Sequence, residues 1–508
     1  MSSSPNSDSL QALQAELESF LKSLRHPILV EEEAELLDLT AAEWRLTMEY
    51  GKLIFTAWNA ARSISRRVEE VAYRDGSRMG VYARKPGGRE SGTLEFRELS
   101  ASKPSERNLE RGVFRKQFLA MLGREFRGWS FEHVSNRSDR EHSFSAWYIR
   151  GLARQGRTAW AFLGLGEAES IGAADAVLAF ALIWLDWLRS RSERVVVPGL
   201  KLFLPGSAVD LAAHRAAYLH RRAVQLEILA WQPGQDHPEP VDLRDFGNVE
   251  TRLVPRRQGL ALAERHRPLL RNLLGDLHDR IDVLPDPTGT FLSLRVLGLE
   301  VARVEGQLAP RIYFGLEGSV RKLEEGEEEE FRRFLIQVLE IRRADTSDPS
   351  QDFYRLQSER WLESLLIRDV TRLDPALSPA HVYPQVPAFT GVDRGVIDIL
   401  LATRSGRLAI LELKLHEEIN LPLQALDYWL RVKWLGERDQ FRARGYFPDL
   451  ELAKAPPLLY LISPAFRFHS TTPLLLRYMD PGIQVIRVGL NDSWRQGVQV
   501  LFRREAAA

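Results

Sequence analysis

Between about residues 350 and 490, apolar and polar positions fall into blocks that predict a helix, two adjacent strands, a second helix and a further strand. Ser358-Glu-Arg-Trp-Leu-Glu-Ser-Leu-Leu366 has helical spacing. Ile397–Leu401 and Leu408–Leu413 are short apolar runs split by a polar Thr403–Arg407 turn, and Leu421–Val432 is helical again. Each of the two strands carries an acid, Asp398 in one and Glu412 in the other, at positions where burial favours apolar side chains. Alternation puts Glu412 and Lys414 on one face. With Thr403 paired to Arg407 across an Arg404–Gly406 loop, Asp398 falls directly opposite Glu412, within reach of one shared cation.

Two carboxylates and an ammonium on one sheet face suit metal-assisted phosphodiester cleavage. The acids can hold Mg²⁺ or Mn²⁺, and the amine can orient water or steady phosphate charge. The pattern resembles the PD-(D/E)XK nuclease superfamily, with Asp398 at the first acid and Glu412 and Lys414 at the E-x-K. Val396 and Ile397 stand before Asp398, so the literal Pro-Asp dipeptide is absent. Gln424 and Tyr428, four apart on the following helix, are similar to the Gln-x-x-x-Tyr motif of the RecB-like branch. The resemblance implies a further metal-binding acid on the first helix. Glu363 fits better than Glu359 because it shares a face with Ile367 and Val370. It also implies that Gln424 and Tyr428 hold the scissile strand or the lysine. Read from the residues alone, Glu412 and Lys414 also fit a structural ion pair, and Gln424 and Tyr428 fit a polar helix surface.

Composition narrows the chemistry. The 508 residues contain no cysteine, which excludes disulfides, thiolate zinc sites, iron–sulfur clusters and cysteine nucleophiles. With 69 basic and 69 acidic residues the formal net charge is zero, so no uniformly basic surface is available to grip nucleic acid. A local cluster of Arg431, Lys433, Arg438, Arg442 and Arg444 follows the motif residues and fits either a basic cleft or a solvated helix face. The polar start, Met1–Asp8, predicts disorder and no secretory signal. Ala173–Leu188 is apolar but short for a membrane span and carries Asp175 and Asp186, so a buried helix is expected. A cytoplasmic location without membrane association follows.

The chain also echoes itself. Gly156–Gly164 resembles Gly406–Lys414 at an offset of 250, and each is followed by an aromatic-rich apolar helix. Leu200–Pro205 and Val224–Leu229 resemble Leu459–Pro464 and Ile483–Val488 at an offset of 259. Weaker echoes lie earlier, at Arg67–Glu69 with Arg303–Glu305 and Arg78–Tyr82 with Arg311–Gly315. The expected fold is therefore α/β with a tandem duplication. Each half holds a strand-rich front module and a restriction-endonuclease-like αβββαβ module. The expected divisions are a disordered tail and short helix (1–25), a front module (26–105), a degenerate nuclease-like module (106–237), a second front module (238–345) and the motif-bearing module (346–508). At an offset of 250 the motif residues map to Tyr148, Phe162 and Gly164, so the first nuclease-like module is expected to be catalytically dead. Its tryptophans, Trp129, Trp147, Trp160, Trp184 and Trp187, are expected in the core.

Together these readings predict a metal-dependent deoxyribonuclease, in repair or defence, working as a monomer built like an internal pseudo-dimer. DNA is the expected partner, with RNA left open. A different class, an inactive adaptor binding nucleic acid or protein on the same scaffold, is the competing expectation.

Overall fold

The computed structural model describes residues 7–506, apart from 25–26, 32–33, 40–42, 50–51, 59–62, 85–90, 99–105, 140, 170, 192–194, 244–250, 287–288, 317–319, 347–350 and 391–394. Residues 1–6, where the polar start predicts disorder, lie outside the described residues. The protein is mixed α/β, with four sheets and eleven α-helices among the described residues. It divides into two compact units, Met1–Lys103 with Arg257–Trp361, and Pro104–Arg256 with Leu362–Ala508.

The first unit holds two antiparallel sheets, one of seven strands over Pro27–Glu98 and one of five over Asp282–Lys322. Leu10, Leu13, Leu17, Phe20 and Leu21 recur every three or four residues along the helix Ser7–Ser23, and this buried face packs into the core of the seven-stranded sheet. A second core gathers under the five-stranded sheet, with Phe331, Leu335 and Val338 of the helix Glu328–Ile341.

The second unit holds the other two sheets. In one, the helix Ser358–Arg368 precedes strands Leu377–Thr390, Val396–Thr403 and Leu408–Leu413, then the helix Leu421–Glu437 and the strand Leu458–Pro464. Leu408–Leu413 is buried at every position, as suits a central strand covered on both faces. It pairs antiparallel with Val396–Thr403 and parallel with Leu458–Pro464, and the parallel pairing requires the crossover that Leu421–Glu437 supplies. The other sheet runs in the same order: helix Glu106–Glu125, strands Ser130–Ser135, Tyr148–Gln155 and Thr158–Leu165, helix Ile171–Arg191, strand Gly199–Leu204. Its pairings have the same senses, antiparallel within the hairpin and parallel across the crossover. One continuous apolar core joins residues from both halves of this unit, including Leu178, Leu182, Leu408, Leu426 and Leu430. Ala173–Leu188 lies within the buried helix Ile171–Arg191, and no helix among the described residues is long and apolar enough to cross a membrane.

Candidate functional site

The hairpin closes as its residues dictate. Thr403 N donates to Arg407 O at 2.7 Å and Gly406 N to Thr403 O at 3.0 Å, around the three-residue loop Arg404–Gly406. Gly406 adopts φ +80°, which the loop needs and other residues resist. The pairing runs from Ala402 with Leu408 to Ile399 with Leu411, so the next step sets Asp398 across from Glu412. Asp398 Oδ2 accepts from Leu413 N at 2.9 Å. Lys414 Nζ lies 3.6 Å from Glu412 Oε1, and Glu412 is only 3% exposed.

Glu363 is buried on the helix Ser358–Arg368, and its Oε2 accepts from Gln385 Nε2. Gln385 belongs to the strand Leu377–Thr390, where Pro384 pairs with Ile399 and Val386 with Ile397. It therefore stands opposite Asp398, continuing a row of Gln385, Asp398 and Glu412 across three strands. Nothing in the sequence singles out Gln385, because the strand that carries it is placed only by tertiary pairing.

On the helix Leu421–Glu437, Tyr428 has its phenol pushed well above the ordinary range, first by burial and then by the charges of Glu412 and Asp398. Tyr428 thus lies in the field of the acidic row. Gln424 points elsewhere, and its Nε2 donates to Asp175 Oδ2 at 3.3 Å. Asn420, before the same helix, also donates to Asp175 rather than capping the helix. Arg215 completes this network. It is 2% exposed and reaches Asp427 through Nε at 3.0 Å and Nη2 at 2.6 Å, and Asp175 through Nη2 at 2.5 Å. Burial pulls its guanidinium down, but the two carboxylates outweigh that and hold it above its usual range. Asp175 and Arg215 come from the 104–256 segment, 200 and more residues before their partners, which is why sequence spacing could not find them.

The basic cluster resolves into separate roles. Arg431 is buried and donates to Ala388 O at 2.6 Å, Lys433 pairs with Glu437 at 2.8 Å, and Arg438 lies over the Trp434 ring, while Arg442 and Arg444 are exposed. Arg431 is therefore not part of a solvated basic face.

The other half of the unit presents a different row. Strand pairing sets Gly151 opposite Phe162. The parallel pairings align the two halves, since Glu412 pairs with Leu461 as Leu163 pairs with Leu202, and Leu163 stands opposite Arg150. The counterparts of Asp398, Glu412 and Lys414 are thus Arg150, Leu163 and Leu165, and the mapping to Tyr148, Phe162 and Gly164 is corrected. The reason is loop length: Gln155 and Thr158 pair across two residues, whereas Thr403 and Arg407 close a loop of three, so no single offset serves the strands on both sides of the turn. A Cβ on Gly151 would run into the Phe162 ring, and one on Gly164 would meet Phe118 Cζ at 2.7 Å. Aromatic rings occupy the space over this row, and Phe118, Phe162, Phe203 and Trp231 form a core of their own. Trp184 is buried and donates to Gly151 O, whereas Trp147 is 37% exposed. Nearby, a cavity of about 540 Å³ is lined by Phe114, Trp147, Ile149 and the Arg111–Glu169 ion pair.

Among the described residues, potential ligand atoms lie within 4.8 Å of one another at Asp139, Glu141 and His142, not at Glu363, Asp398 and Glu412. The former group is at the surface and contains its own ion pair, His142 Nδ1 to Asp139 Oδ2 at 2.7 Å. Glu363, Asp398 and Glu412 nevertheless offer the all-oxygen donor set that a hard divalent cation takes.

No protein-family model and no curated protein matches the chain. Among solved structures it is similar to a repair endonuclease from Pyrococcus abyssi, at 13% identity over 46% of this chain and 98% of that one, with a TM-score of 0.17. It is also similar to a chain of an EndoMS–double-stranded DNA complex, at 12% identity over 46% of this chain and 97% of that one, with a TM-score of 0.18. At such scores the likeness is too low to bear on function.

Proposed function

We propose that the protein is a Mg²⁺- or Mn²⁺-dependent deoxyribonuclease of the PD-(D/E)XK type with one working site. The reading is carried by the register that sets Asp398 opposite Glu412, with Lys414 two residues on beside it. Asp398 and Glu412 would hold the metal, joined by Glu363, and the bound ion would supply charge neutralisation on the phosphate and a more acidic water. Lys414 orients the attacking water or steadies the phosphate, and its contact with Glu412 keeps it within reach of the row. Tyr428 borders the row and contacts the strand being cut. Gln424 serves by holding its helix in place through Asp175.

The recurrence of element order and pairing sense in the two halves of this unit supports a tandem duplication. In the 106–237 module Arg150, Leu163 and Leu165 stand at the corresponding positions and supply no metal ligand, so this module is catalytically dead and takes the place of a second subunit. The substrate is DNA.

The test is cleavage of single- and double-stranded DNA with Mg²⁺ or Mn²⁺, with RNA as a parallel substrate. Asp398→Asn and Lys414→Ala should each abolish cleavage while keeping the parent's melting temperature within a few degrees. If both variants cut as well as the parent, the site is elsewhere. The adaptor reading draws on one observation, the Glu412–Lys414 pair, which needs no metal. It predicts that Mn²⁺ fails to raise the parent's melting temperature, whereas a specific metal site predicts stabilisation that Asp398→Asn loses.

A further inference from the structure

Gln385 is one of seven non-glycine residues with positive φ among the described residues, at +52° in the middle of a strand. An unbranched side chain with a Cβ is disfavoured there, and such conformations persist only where surrounding structure holds them. Three features hold this one. Pro384 and Pro387 flank it closely, restricting the backbone on either side. The pairing register continues unbroken past it, from Pro384–Ile399 to Val386–Ile397. Its side-chain amide is committed to the buried carboxylate of Glu363.

A second residue of positive φ lies on the corresponding strand of the other half of the unit. His133, φ +54°, lies where the pairing of Ser130–Ser135 with Tyr148–Gln155 shifts, beside the Gly151 row. There the side chain packs edge-on against Trp187. The Gln385 amide goes to the acid on the helix Ser358–Arg368, whereas the His133 ring goes to Trp187 on the crossover helix Ile171–Arg191.

We propose that Gln385 is a positioning residue that sets the Glu363 carboxylate for divalent-metal binding beside Asp398 and Glu412. This inference rests on the metal-dependent reading of the site. Donating to Oε2 fixes the rotation of the Glu363 carboxylate and with it the direction of Oε1, the arrangement by which outer hydrogen bonds orient metal ligands. The left-handed backbone is what lets a residue opposite Asp398 turn its side chain to the helix rather than along the row.

Two substitutions separate backbone from amide. Gln385→Gly and Gln385→Ala both remove the amide, but only glycine accepts φ +52° without strain. The glycine variant should melt about 2–4 °C above the alanine variant without metal. Both should bind Mn²⁺ about 10- to 100-fold more weakly than the parent in calorimetric titration without DNA. In a Glu363→Gln background, Gln385→Ala should cause no further loss of Mn²⁺ affinity, an outcome that a merely structural role would not produce. If the parent binds Mn²⁺ and both single variants bind it equally well, the positioning role is overturned while the nuclease reading stands. If the parent binds no Mn²⁺, the metal-dependent reading falls and takes this inference with it.

Discussion

Replacing Arg215 by methionine isolates what the 104–256 segment contributes to the helix that carries Gln424 and Tyr428. The guanidinium is almost fully buried and makes two bonds to Asp427 and one to the Asp175 carboxylate. Methionine fills similar volume but leaves Asp427, 9% exposed, as a buried charge without its main cation. Breaking such a pair costs about 3–5 kcal/mol. Asp175 adds little to that cost, because its side chain is 27% exposed and water can replace the lost contact. A value near the lower end, about 3 kcal/mol, is therefore expected. At about 2 °C per kcal/mol for a unit of this size, the melting temperature should fall by about 6 °C. The double variant Arg215→Met/Asp427→Leu removes both charges, and apolar replacement of a whole buried pair is often neutral, so it should recover most of the loss. Differential scanning calorimetry of the four proteins in this cycle makes the comparison. A single variant that melts within 1 °C of the parent, or a double variant no better than the single, would refute the view that Arg215 holds a buried electrostatic strut.

Other consequences follow from the same geometry. Burial holds His214 below the usual histidine range, with Arg431 and Arg215 adding to the effect against the pull of Asp427. The unfolded chain therefore binds this proton more readily, and stability should decline as pH falls through about 6.5. His214→Gln should lose less melting temperature than the parent between pH 7.5 and 5.5. Gly151→Ala places a Cβ into the Phe162 ring and should cost about 1–3 kcal/mol by urea denaturation. Pairing it with Phe162→Leu should return part of that loss. The Asp398→Asn and Lys414→Ala variants and the two Gln385 variants complete the set.

The site hairpin was legible because its logic is local. Period-two alternation, a polar five-residue turn and a glycine suited to left-handed backbone decide that Asp398 meets Glu412, whatever the rest of the chain does. The direction of Glu363 was legible for the same reason, since helical spacing alone turns it toward the apolar face. Transfer of positions to the other half of the unit failed on both strands of the hairpin. A fixed offset assumes equal connections, whereas the register against the parallel strand sets Glu412 on Leu163, and a hairpin loop one residue longer then moves the counterpart of Asp398 from Tyr148 to Arg150. Tertiary structure alone decided what surrounds the row. It brought Gln385 opposite Asp398, turned Gln424 toward Asp175 some 249 residues away, and laid Phe118 over Gly164. Local rules set which way a side chain points, but its partner is chosen by the packing of distant elements, which no window of sequence contains.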